Sequence, residues 1–294
     1  MQKVDILILT AMHRRPLISE LFALSVNELI KAHSPRYSFA VVALVSDMKS
    51  KEVCEKYHID MIDTIISPLG TKMNTGLEIA MGKYDFRYML SLGDDDVISP
   101  LLIDAYAKFM ADDYPYFGVK SLYFLDSMTN QASEFTYKQQ TSKLVGAGRM
   151  FSHAALMNTA WQCQVIPMKN LSFMGVKLTK NEPVYLPVYQ CKYLEAMGKV
   201  HSMKNERVKF WGDEQRNGLD NHSELSMLFN NYLPVAIQVE RPLLTDVKSS
   251  VNIWNFSQFA DLSKPVTYEE ATWFWSDALR EYYEKMRFKL QCQL

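Results

Sequence analysis

Along the first hundred residues the apolar positions switch repeatedly between two spacings. Val4 to Leu9 is a short, nearly unbroken apolar run of the kind a strand shows when both its faces are covered. Ile18, Leu21, Phe22, Val26 and Leu29 then recur at three- and four-residue steps, which predicts a helix with a single apolar stripe. Phe39 to Val45 reads as a second strand, Lys49 to Tyr57 as a helix, and Met61 to Ile66 as a third strand closed by a turn at Ser67-Pro68-Leu69-Gly70. A helix over Thr75 to Met81 follows. Arg87 to Leu92 is the fourth strand, and it runs directly into Gly93-Asp94-Asp95-Asp96. Strands alternating with helices in this way predict an α/β fold, with helices covering a mixed, largely parallel sheet.

Beyond Ala111 the regularity falls, and short mixed runs rich in aromatics replace it. From Tyr268 to Leu294 the pattern returns as an amphipathic helix. Trp275, Leu279, Tyr282 and Met286 form its apolar face, with Arg280, Lys285, Arg287 and Lys289 between them. Three divisions follow: residues 1–110 as a ligand-binding half, 111–245 as the other half of the same domain, and 246–294 as a C-terminal aromatic and helical extension. The aromatic stretches Trp254 to Phe259 and Trp273-Phe274-Trp275 read first as core; stacking on sugars or bases and contact with a membrane interface are the alternatives.

Composition narrows the classes. With 294 residues, 48% of them hydrophobic and 22% charged, the chain can bury a full core and is not of disordered type. A formal net charge of -1 supplies no global field toward nucleic acid or anionic lipid. The four cysteines are scattered without a CxxC pair, so no zinc knuckle or disulfide framework is indicated, and a reducing compartment is expected. No stretch reaches the roughly 20 apolar residues of a membrane helix. The expectation is a cytoplasmic protein without an integral membrane segment, with peripheral attachment through the basic tail left open.

Three polar features collect where the predicted strands end: the Thr10 to Arg15 loop, Asp47 after the second strand, and the aspartate turn after the fourth. In open α/β sheets that rim is where ligands bind. Consecutive aspartates resist joint ionisation unless a cation lies among them. Hard carboxylate oxygens suit Mg²⁺ or Mn²⁺, and such an ion can bridge carboxylates to a diphosphate. The plainer alternative is a solvated acidic turn ahead of the helix that begins near Pro100, with Asp96 or Ser99 as its N-cap.

These residues, in this order, resemble the GT-A glycosyltransferases, above all the large inverting group called family 2. Leu9-Thr10-Ala11-Met12-His13-Arg14 stands where that group has its first-strand loop. Met73-Asn74-Thr75-Gly76-Leu77-Glu78-Ile79-Ala80-Met81-Gly82 keeps the Asn, Gly, Ala and Gly of its helix motif, with Lys72 near the place of a missing arginine. Tyr88 to Asp96 fits its strand and acidic turn. The resemblance covers roughly the first 110 residues. It implies a Rossmann-like GT-A sheet and a nucleoside diphosphate sugar donor. Asp96 would ligate the metal, Asp94 would meet the ribose or the metal shell, Asp95 would lie on the donor, and Asp47 near base or ribose. Thr10, Arg14, Lys72 and Asn74 would line the donor pocket.

Further along, Gly146 to Phe151 resembles the small-residue loop that faces the acceptor, with Gly148 approaching the donor sugar; a plain turn explains the same letters. The acidic segment from Trp211 to Leu225 resembles the motif that supplies the catalytic base. Asp220 is the first choice, Glu224 lies one helical turn later, Asp213 is weaker, and a helix N-cap is the structural alternative. His222 is a candidate third metal ligand, as imidazoles sometimes complete the metal shell in this fold. The expected activity is sugar transfer, with inversion, to a glycan, a lipid-linked sugar or a modified DNA base. Two other readings stand beside it. One is a nucleotidyltransferase, whose glycine-rich loop is missing because Thr10 to Pro16 contains no glycine; the other is a non-catalytic sugar- or nucleotide-binding module.

Overall fold

The computed structural model describes residues 1–64, 69–137, 143–159, 161–173, 176–182, 184–187, 193–207, 227, 232–249, 256–260 and 262–292. The first elements are β1 (Gln2–Met12), α1 (Pro16–His33), β2 (Phe39–Val45), α2 (Met48–Tyr57), β3 (Asp60–Asp63), α3 (Leu69–Lys83) and β4 (Tyr84–Ser91). There follow β5 (Asp96–Ile98), α4 (Leu101–Ala111), β6 (Tyr116–Val119), β7 (Ser121–Asp126), β8 (Ala132–Thr136), β9 (Arg149–Ser152) and α5 (His153–Thr159). The later strands are β10 (Trp161–Pro167), β11 (Leu171–Phe173), β12 (Val176–Leu178), β13 (Val184–Pro187), β14 (Val200–Arg207), β15 (Val235–Ile237), β16 (Leu244–Lys248) and β17 (Lys264–Val266).

The main sheet has the order β15-β6-β9-β4-β1-β2-β3. β3, β2, β1 and β4 are mutually parallel, and β9 enters antiparallel between β4 and β6, so the sheet is mixed as expected. β1 is apolar throughout its centre, with Ile6 to Leu9 all fully buried, because helices cover both of its faces. On one face Phe22, Ala23, Val26 and Leu29 of α1 meet Ile6, Ile8, Ala43 and Leu90. On the other, Met73, Leu77, Ala80 and Met81 of α3 meet Leu7, Leu9, Val42 and Leu44. The strand order reverses between β1 and β4, and the carboxyl ends of these two strands frame the crevice that such a reversal opens.

A second sheet, β17-β8-β7-β16-β5, stands beside the first. Ile18 and Leu21 of α1 turn toward it and share a core with Val97, Leu125, Val247, Leu279, Tyr283 and Met286. α1 is therefore held between the main sheet and the C-terminal elements. Residues 245 and 246 both lie inside β16, which pairs with β5 and β7, so the division expected at that point cuts through a strand. The expected single tail helix is two. A turn of helix at Tyr268–Ala271 opens on a Thr267/Glu270 capping box, and a second helix, Asp277–Gln291, starts at Ser276, whose hydroxyl accepts from the Leu279 N–H. Two further departures are local. α3 begins at Leu69 rather than Thr75, and Lys83 passes straight into β4 with no loop between. Among the described residues no helix is long and apolar enough to cross a membrane.

Candidate functional site

β1 ends in a turn that bends at Arg14, which has a left-handed φ of 55°. The bend is pinned from the next strand: the Arg14 N–H donates to Asp47 Oδ2 at 2.9 Å. Asp47 is at the same time the N-cap of α2, accepting from the Ser50 N–H and hydroxyl at 3.1 and 2.8 Å, and His13 Nδ1 lies 3.4 Å from it. Burial works to raise the Asp47 pKa, but the hydrogen bonds from Arg14 and Ser50 outweigh it and hold the group below its ordinary value. Asp47, expected near base or ribose, thus has a structural task in shaping the loop. The Arg14 side chain is exposed.

The arginine that reaches the acidic turn is Arg15. Pro16 starts α1, and Arg15 at its N-cap bridges two aspartates: Nη1 donates to Asp95 Oδ2 at 2.9 Å, and Nη2 is paired with Asp94. Ser19, in the first turn of α1, donates its hydroxyl to the other Asp94 oxygen at 2.7 Å. Asp94 is fully buried, and both of its oxygens are engaged in tying the turn to α1. The metal role expected of Asp94 meets a carboxylate already engaged by Arg15 and Ser19; among the described residues, the carboxylates whose oxygens cluster are those of Asp95, Asp96 and Asp246, with ligand atoms all within 4.8 Å of one another.

Asp96 is the first residue of β5, so it is no helix cap; at the start of the helix after Pro100 the Ser99 hydroxyl accepts from the Leu101 N–H at 3.2 Å and the Ser99 carbonyl from the Leu102 N–H at 3.0 Å. One Asp96 oxygen accepts from the Gly93 N–H at 2.6 Å. β5 and β16 run antiparallel with Asp96 directly opposite Asp246, so the two carboxylates emerge on one face. Lys248, two residues on and on that same face, pairs with Asp246 Oδ2 at 2.5 Å. The other Asp246 oxygen, Oδ1, is buried with no hydrogen-bond partner.

The electrostatics follow from this crowding. Burial, then Asp246 and Asp95, push Asp96 well above the usual carboxylate value. Burial also raises Asp246, to about 6, against the pull of Lys248. Burial acts on Asp95 in the same sense, yet Arg15 and Lys248 reverse it and leave Asp95 below its ordinary value. Arg15 is paired with Asp94 and Asp95, and Lys248 with Asp246, so four neighbouring carboxyl groups meet two cations in these ion pairs, a deficit of positive charge that a dication would remove. An all-carboxylate donor set with one orphaned buried oxygen fits a hard ion such as Mg²⁺ or Mn²⁺.

Lys72 comes from α3 to the ends of β1 and β2. Its buried ammonium donates to the Met12 carbonyl and the Ser46 hydroxyl, each at 3.0 Å. Burial lowers its pKa to about 8, with Asp94 and Asp47 opposing the shift. It is thus brought to the rim beside the acidic turn. Asn74 instead donates back to the Gly70 carbonyl at 2.8 Å within α3. Thr10 is fully buried in β1, and its hydroxyl has no partner. Gly148 has φ of +75°, a left-handed backbone that favours glycine, and a Cβ there would also press on the Leu244 side chain at 2.9 Å. Asp213, Asp220, His222 and Glu224 lie outside the described residues.

Sequence reading missed Asp246 and Lys248 and preferred Arg14 to Arg15. The signals were present: Asp246 and Lys248 share one face of a short strand, with the buried Val247 between them, and Pro16 marks Arg15 as the residue at a helix start.

No family model matches the sequence, and no curated protein matches it. Among solved structures, the chain is similar to Staphylococcus aureus TarS residues 1–349 in complex with UDP-GlcNAc, at 12% identity and a TM-score of 0.42, covering 84% of this chain and 60% of that one. It is also similar to glucosyl-3-phosphoglycerate synthase from Mycobacterium tuberculosis in complex with Mn²⁺, UDP and glucosyl-3-phosphoglycerate, at 9% identity and a TM-score of 0.36, with 54% and 60% of the two chains covered. A cytidylyltransferase from Leptospira borgpetersenii aligns over 54% of this chain and 64% of its own, at 14% identity and a TM-score of 0.34. The chain thus spans less than two thirds of each of these proteins, and at such scores the chemistry has to be argued from the site.

Proposed function

We propose that the protein is a metal-dependent glycosyltransferase of the GT-A type, which moves a sugar from a nucleoside diphosphate donor to an acceptor hydroxyl with inversion. The observation that carries the proposal is the clustering of Asp95, Asp96 and Asp246, the last with one buried, unpartnered oxygen, at the rim where the strand order reverses. Asp96, Asp95 and Asp246 would hold Mg²⁺ or Mn²⁺, whose chemistry there is to neutralise charge on the departing diphosphate. Arg15 fixes Asp94 and Asp95, so that the turn is set before a donor arrives. Lys72, a cation beside that turn, is suited to anionic or carbonyl oxygens of the donor. Thr10, Arg14, Asp47, Asn74 and Gly148 complete the proposed donor-binding set.

In this reading Asp220 or Glu224 takes the proton of the acceptor hydroxyl, His222 is the candidate third metal ligand, and residues 111–245 are the acceptor side. The free thiols of Cys54 and Cys292 suit a reducing, cytoplasmic setting. A glycan, a lipid-linked sugar or a modified DNA base serves as acceptor.

The test is a screen of UDP, GDP and TDP sugars for hydrolysis and transfer with Mn²⁺, repeated on Asp96→Ala. Turnover by the natural protein, abolished in the variant, is the expected result. A nucleotidyltransferase would instead release pyrophosphate from a nucleoside triphosphate, and a binding module would keep its nucleotide affinity in the variant. Either outcome sinks the transferase.

A further inference from the structure

Lys248 is placed unusually for a lysine next to a candidate cation site. Its side chain is 7% exposed, and its ammonium lies 5.3 Å from the Phe124 ring centroid and 5.4 Å from that of Phe259. Those two rings stack on each other at 4.1 Å, so the lysine is held by a fixed aromatic pair as well as by the backbone of β16. Its backbone is fixed too: the Lys248 carbonyl accepts from the Ser127 N–H at 2.9 Å, and β16 is in register with β7. A positive charge placed by chance would repel an incoming dication. This one is instead paired with Asp246 Oδ2, and leaves Oδ1 buried and unpartnered on a carboxylate that clusters with those of Asp95 and Asp96.

We infer that Lys248 is a positioning residue. By fixing Asp246 Oδ2 from the aromatic pair, it presents Oδ1 to a hard dication shared with Asp95 and Asp96. The inference rests on the metal reading proposed above. It adds that the third carboxylate comes from a strand distant in sequence and is oriented by a lysine that never touches the ion. Ligand-orienting partners of this kind typically change metal affinity by roughly 10- to 100-fold when removed.

Repulsion and positioning predict opposite signs, which makes the test decisive. The full chain is titrated with Mn²⁺, free ion being followed by electron paramagnetic resonance, for the natural protein, Lys248→Met, Lys248→Arg and Asp246→Asn. If Lys248 only adds positive charge, removing it tightens Mn²⁺ binding. If it orients Asp246, Lys248→Met weakens binding by roughly tenfold or more, Lys248→Arg restores most of the affinity, and Asp246→Asn weakens it at least as much. Far-UV circular dichroism and melting establish that each variant is folded; Lys248→Arg, which keeps the donor and the ring contacts, carries the comparison if Lys248→Met does not fold. In that case Lys248→Arg binding close to the natural protein, with Asp246→Asn weak, supports the inference, and Lys248→Arg as weak as Asp246→Asn overturns it. Binding by Lys248→Met as tight as or tighter than the natural protein, with Asp246→Asn weakened, overturns the positioning role and leaves the metal site standing. Absence of Mn²⁺ binding by the natural protein overturns both.

Discussion

At the scale of single residues, the three consecutive aspartates have three different tasks. Asp94 is bound to Arg15 and Ser19 and ties a turn to a helix, Asp95 shares Arg15, and Asp96 faces Asp246 across a strand pair. Asp94→Ala should therefore act mainly on stability, costing about 3 kcal/mol in urea denaturation because it strips a buried charge of one partner. Asp96→Ala should remove Mn²⁺ binding with a much smaller change in the denaturation midpoint; equal stability losses for the two would contradict the division. Lys72 gives a pH prediction. Its pKa in the fold is about 8 against an ordinary 10.5, chiefly because burial disfavours the charge. Between those values the unfolded chain binds more protons than the folded one, so stability rises with pH; below about 8 the cost of burying the charge is fully present. The stability of the natural protein relative to Lys72→Met should shift in its favour between about pH 7.5 and pH 10. A difference that stays flat with pH would mean the ammonium is solvated. At this scale the sequence was only partly legible. An aspartate triplet after a strand announces itself, whereas Asp246 becomes meaningful only once β16 is known to lie beside β5.

Glycines decide how closely the elements approach. Gly76 faces the Leu44 side chain so tightly that a Cβ would overlap it, and this lets α3 lie against β2 and carry Lys72 to the strand ends. Gly76→Ala should destabilise by about 2 kcal/mol, the cost of overpacking, and should weaken donor binding together with stability. Gly148→Ala should cost a similar amount, about 1–3 kcal/mol, through its positive φ and the Leu244 contact; thermal melting reads both. The strands and helices before the aspartate turn were legible because two-sided burial leaves continuous apolar runs and one-sided burial leaves stripes. α3 was read too short: Gly70, Gly76 and two threonines lower its helical propensity, and packing of Met73 and Leu77 on the sheet overrides that. The tail was read as one helix because Trp275 keeps helical spacing with Leu279, although Ser276 caps a new start between them.

For the whole molecule, the second sheet and the C-terminal helix matter as a support for α1. Tyr283 is fully buried, packs edge-on to Trp275 at 5.3 Å and donates to Asn130 at 3.1 Å. Tyr283→Ala should cost about 3–5 kcal/mol, as for other buried aromatics. Since Ile18 and Leu21 share that core and Arg15 begins the same helix, the variant should also lose Mn²⁺ affinity, measured in the titration described above. An unchanged affinity would show that the acidic turn holds its shape without the support. This linkage could not be read from sequence, since the contacts join residues that are far apart in the chain and carry no shared pattern.

The pairing of Asp96 with Asp246 also sets an order of events during synthesis. A nascent chain reaches the ribosome exit with the first two converging aspartates long before β16 has been made. Until then the first two carboxylates carry repelling charge without Asp246 or its partner Lys248, and the proposed dication site is incomplete. If the three carboxylates hold the ion as proposed, its capture is a late checkpoint, passed only by chains translated through Lys248, and truncated products should be recognisable by their indifference to manganese.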